Sequence, residues 1–68
     1  MKIMIVERNK INEVIEKLEF IKGIKYESIE IETVGKIKLL GILIHNKNVE
    51  DILSYDGIKE YILEIIEL

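Results

Sequence analysis

Apolar and polar positions change period several times along this chain. Residues 2–7 (Lys-Ile-Met-Ile-Val-Glu) form a β-branched run too short for a helix and predict a strand. From Lys10 the period becomes helical. Ile11, Val14, Ile15, Leu18 and Ile21 share one stripe, with Glu13, Glu16 and Lys17 opposite. Asn9 or Asn12 stands where a cap is needed, and Gly23 stands where a left-handed residue ends a helix. Residues 24–34 then alternate, with Ile29 and Ile31 on one side and Ser28, Glu30 and Glu32 on the other, as on a half-buried edge strand. Gly35 predicts a tight hairpin into residues 36–45, the longest apolar run, which reads as a central strand. Asn48, followed by Glu50 and Asp51, starts a second helix with Val49, Ile52 and Leu53 on its apolar stripe, and Gly57 ends it. Residues 58–68 fit two patterns. Ile58, Tyr61, Ile62, Ile65 and Ile66 make a helical stripe, while the isoleucines also alternate loosely with Glu60, Glu64 and Glu67 as on an edge strand.

An internal repeat favours the strand. Displaced by 34 residues, the chain aligns with itself without a gap and with nine identities: Lys2, Ile3, Asn12, Glu16, Gly23, Ile24, Lys25, Glu30 and Ile31 fall on Lys36, Ile37, Asn46, Glu50, Gly57, Ile58, Lys59, Glu64 and Ile65. Each Gly-Ile-Lys triplet follows a predicted helix. If the first opens a strand, so does the second, and residues 59–68 become the last strand, with a C-terminal helix as the alternative. The resulting β-α-β-β-α-β order resembles the ferredoxin-like fold over the whole chain. Among families of that fold it is similar to the small ACT-like domains, although residues 7–10 carry no glycine where that family has its ligand loop. The resemblance implies one α+β domain made of two halves, 1–34 and 35–68. It also implies a four-stranded antiparallel sheet in the order 4-1-3-2, with two helices on one face. Strands one and three are expected to be the central pair and to run in the same direction.

Alternation divides the central strands into two sets. Ile37, Leu39, Gly41 and Leu43 go with Ile3 and Ile5. Leu40, Ile42 and Ile44 go with Met4 and Val6, and Ile62 and Ile66 join this second set. Since helices cover one face only, the other keeps a large aliphatic patch, of the kind that marks an interface. The second set is expected to be that open face. The expected interface is therefore Met4, Val6, Leu40, Ile42, Ile44, Ile62 and Ile66. Phe20 lies off the stripe of the first helix and is expected either to anchor a second contact surface or to fold over the turn at Gly23.

Composition narrows the function. Sixty-eight residues build one small domain with a marginal core, and the absence of cysteine leaves oligomerisation as the remaining reinforcement. A homo-oligomer, dimer or higher, is expected. The net charge of -3 argues against nucleic-acid binding, and no apolar run approaches the length of a membrane span. A soluble, cytoplasmic protein is expected, and sixteen isoleucines with abundant Glu and Lys suit a thermophile. His45 is the sole histidine. With Asp51 and Asp56 it makes no nucleophile–base set, and there is no phosphate-cradling glycine loop. No catalytic residue, cofactor or metal site is expected. If strands one and three run the same way, Arg8 and Asn9 emerge beside His45 and Asn46 and beside both helix N-termini. That end is the candidate site for a small anionic metabolite. The reading is of a non-catalytic, self-associating module that binds a small ligand or regulates, with an accessory subunit for a protein partner as the alternative.

Overall fold

The computed structural model describes residues 1–55 and 57–67. Asp56, and Leu68 at the end of the last expected strand, lie outside the described residues. The elements are β1 (Lys2–Val6), α1 (Ile11–Leu18), β2 (Tyr26–Glu32), β3 (Lys38–Ile44), α2 (Val49–Leu53) and β4 (Ile62–Glu67), with 3-10 turns at Arg8–Lys10 and Lys59–Tyr61. The strands form one antiparallel sheet in the order β2-β3-β1-β4, the ferredoxin-like arrangement.

The main core lies between the sheet and the two helices. Val14, Leu18 and Ile21 from the first helix and its exit, and Val49 and Ile52 from α2, pack on Met4, Val6, Ile42, Ile44 and Ile58. Neither Asn9 nor Asn12 caps α1: the N-cap position is Lys10, entered from a 3-10 turn without a side-chain cap. The exit tightens, with Phe20 N–H donating to Lys17 and Ile21 N–H to Leu18. Gly23 and Gly57 then turn the chain at φ 74 and 83 degrees.

The hairpin between β2 and β3 turns at Thr33-Val34-Gly35-Lys36. Lys36 N–H donates to the Thr33 carbonyl, and Thr33 N–H donates to the Ile37 carbonyl, each at 2.9 Å. The Thr33 hydroxyl also accepts from Ile37 N–H. The left-handed position is Lys36, with φ 63 degrees, and not the glycine before it. A side chain there raises the backbone energy by roughly 1 kcal/mol relative to glycine. Lys36→Gly is therefore expected to stabilise the monomer fold by about 0.5–1 kcal/mol, measured as a rise in the denaturation midpoint with unchanged slope.

Candidate functional site: the uncovered sheet face

The strand register sorts the side chains into a covered and an uncovered face, and it reverses the expected assignment. Met4, Val6, Ile42 and Ile44 lie under the helices, and Ile62 packs against the same core. Leu40, opposite Val6 and Glu30, shares that side and is half-buried. Only Ile66 of the strand residues expected on the open face is there. Ile62 and Ile66 part company because β4 slips in register: Ile5 pairs with Glu64, but Val6 pairs with Ile62. Leu63 is the extra residue, and such a bulge inverts the phase of everything beyond it.

The uncovered face carries Ile3, Ile5 and Leu43 as a second cluster, with Ile29, Ile31, Leu39 and Ile66 packed against them. Among the described residues no helix residue belongs to it. Gly41 sits at its centre, opposite Ile5 on one side and Ile29 on the other. The space where a Gly41 Cβ would stand is taken by Ile3, whose Cγ2 is 2.6 Å from that point. The aliphatic chains thus close over the glycine, which is why Ile3 and Ile5 are only 1% and 2% exposed without a covering layer. The charged strand residues on this face are acids: Glu27, opposite Leu43, and Glu64, opposite Ile5. The strand lysines lie on the helix side, where Lys2 pairs with Glu50 and Lys38 with Glu30. The hydrogen bond between Lys2 and Glu50 raises the lysine above its ordinary pKa and is the main cause holding the Glu50 carboxyl below its own.

The candidate anion site does not assemble. β1 and β3 are antiparallel, with Ile3 opposite Leu43 and Val6 opposite Leu40. Arg8 and Asn9 therefore leave the sheet at one end and His45 and Asn46 at the other, and α1 and α2 start at opposite ends. The cause is topological: β3 returns from β2 through a hairpin and slots in beside β1, so it must run against it. The side chains at both ends have local partners. Arg8 Nη2 donates to the Lys38 carbonyl at 3.0 Å and lies 3.6 Å from Glu30. His45 Nε2 is 3.3 Å from Glu27. Asn46 donates from Nδ2 to the Gly23 carbonyl at 2.6 Å and accepts Lys25 N–H on Oδ1 at 2.9 Å, so it ties the α1–β2 loop to the end of β3. That clamp was not legible in the sequence, where an asparagine after a strand reads as a turn residue.

Phe20 is 85% exposed and leaves the Gly23 turn uncovered. Among the described residues no group of three His, Cys, Asp or Glu side chains is placed to hold a metal ion, and no helix is long and apolar enough to cross a membrane. The chain matches no protein-family model, no curated protein and no solved structure.

Proposed function

We propose that this chain is a non-catalytic module that works by self-association, two copies pressing their uncovered sheet faces together. The observation that carries the reading is the aliphatic face of Ile3, Ile5, Ile29, Ile31, Leu39, Leu43 and Ile66, against which no helix packs. The strand edges are poorly suited to the task. Glu27, Glu30 and Glu32 line the β2 edge, and Glu64 and Glu67 line β4, so edge-to-edge pairing sets like charges together. The ACT-like element of the reading is a regulatory role through association. It does not draw on Arg8, Asn9, His45 and Asn46, which are divided between the two ends of the sheet.

The test is the mass of the particle in solution at micromolar concentration, by sedimentation equilibrium, for the parent chain and for Leu39→Glu. Leu39 lies on the uncovered face opposite Ile31 and is partly exposed. A carboxylate there keeps contact with water in the monomer and loses it in the dimer. Leu39→Glu should stay folded and dimerise at least tenfold more weakly. A parent chain that is monomeric under these conditions overturns the proposal.

A further inference from the structure

We infer that the free edge of β2 docks an extended basic segment of another protein, which joins the sheet as a fifth strand. β2 and β4 are the two edges of the sheet, and they differ. β4 carries the bulge at Leu63, which interrupts its outward row of backbone groups. β2 keeps one register with β3 over all seven of its residues, from Tyr26 opposite Ile44 to Glu32 opposite Lys38. His45 N–H donates to the Lys25 carbonyl at 2.8 Å, and Thr33 N–H donates to the Ile37 carbonyl at 2.9 Å. Bonded and non-bonded pairs alternate in an antiparallel ladder. The odd-numbered residues of β2 therefore bond to β3, and the even-numbered ones point N–H and C=O away from the sheet. Tyr26, Ser28, Glu30 and Glu32 thus present a continuous row of donors and acceptors. Among the described residues nothing bonds to that row. Every residue of β2 is at least partly exposed, and no proline, lysine or arginine breaks the strand. Such an edge pairs with extended backbone, and its side chains choose the sequence.

The charged residues of β2 are Glu27, Glu30 and Glu32, and Lys25 lies one residue outside the strand. A second copy would bring its own acids to this edge, whereas a basic strand complements it. β3 shows what β2 accepts on its inner side, with Lys38 opposite Glu32 and Leu39 opposite Ile31. The same pairing on the outer side sets Lys or Arg opposite Glu30 and Glu32 and aliphatic residues opposite Ile29 and Ile31. The matching segment therefore alternates cations with β-branched residues. Glu32 makes no ion pair among the described residues. Arg8 and Lys38 approach Glu30 at 3.6 and 3.8 Å, and His45 approaches Glu27 at 3.3 Å. These are contacts between exposed side chains, which contribute little and exchange readily for an incoming cation. The site uses an edge of the sheet and does not depend on self-association through the broad face.

Titration of the nitrogen-15-labelled chain with the peptide Lys-Ile-Lys-Val-Lys-Ile-Lys tests the inference. In proton–nitrogen spectra the amides of Tyr26, Ser28, Glu30 and Glu32 should shift together and gain protection from exchange. The acidic peptide Glu-Ile-Glu-Val-Glu-Ile-Glu and the reordered peptide Lys-Lys-Lys-Lys-Ile-Ile-Val should each bind at least about tenfold more weakly. Ser28→Pro removes an outward donor and no ladder bond, so it should keep the fold and weaken binding about tenfold. The double variant Glu30→Lys, Glu32→Lys leaves the backbone intact and should reverse the preference to the acidic peptide. Equal binding of the reordered peptide shows attraction by charge alone and overturns the edge site. Shifts confined to the uncovered face, or no shift at millimolar peptide, overturn it as well.

Discussion

Ile42→Glu is expected to abolish folding. Ile42 is 0% exposed and lies in the middle of β3, opposite Met4 on β1 and Ser28 on β2, under the helix layer. Its neighbours in the core are aliphatic, among them Leu18, Ile52 and Ile58, so an ionised carboxylate there meets no donor. The cost of burying such a group without a partner is several kcal/mol, and the lost burial of the isoleucine adds about 2 kcal/mol more. A 68-residue domain has roughly 3–10 kcal/mol of stability to lose. Far-ultraviolet circular dichroism and amide dispersion in a proton–nitrogen spectrum should both report an unfolded chain at 25 °C. Leu39→Glu, three residues away on the other face, should keep the folded spectrum. The pair reads out which face the helices cover, because exchanging the faces exchanges the two results. A folded monomer from Ile42→Glu would mean that the helices do not cover Ile42.

The comparison of Ile42 with Leu39 also marks how far the sequence carries. The order of strands and helices was legible because the periods differ along the chain: Ile29 and Ile31 alternate with acids, whereas Val14, Leu18 and Ile21 recur at helical spacing. The division of β1 and β3 into two sets was legible for the same reason. Which set the helices cover was not, since Ile3 and Ile5 are as apolar as Met4 and Val6, and periodicity carries no sign. A cue to the sign is long-range: Lys2 falls in the Met4 set and meets Glu50 of α2, but sequence alone does not announce a pair 48 residues apart. The phase of Ile66 was hidden by a bulge, which leaves no period to follow. The candidate anion end failed on strand direction, a property of topology and not of any residue. Arg8 and Asn46 were singled out by chemistry that the fold spends on Lys38, Gly23 and Lys25. The hairpin was legible from Gly35, but the left-handed backbone at Lys36 was not, since nothing about a lysine announces it.

Gly41→Val is expected to destabilise the fold by about 1–3 kcal/mol, against the ordinary preference of a strand interior for valine over glycine. That preference, together with the backbone entropy of glycine, would favour the substitution by roughly 1 kcal/mol. Sterics decide the sign here. A Cβ at Gly41 would stand 2.6 Å from Ile3 Cγ2 and 3.5 Å from both Ile5 Cδ1 and Ile29 Cγ1. The Ile3 methyl sits on a β-branched carbon next to the backbone of a central strand, so it cannot swing aside without leaving its rotamer or shifting β1. Valine adds two further methyl groups to the same space. Two consequences distinguish this account from a general intolerance of β3. Ile3→Ala should cost stability alone but recover most of the loss in the Gly41→Val background, giving a coupling of about 1 kcal/mol or more in a double-mutant cycle. Gly41→Val should also expose Ile3, which is 1% exposed in the parent, and roughen the face on which the second copy is proposed to sit. Weaker self-association should therefore accompany the lost stability. A stabilising Gly41→Val would show that Ile3 does not fold over the glycine, and the low exposure of Ile3 and Ile5 would then need a different cause.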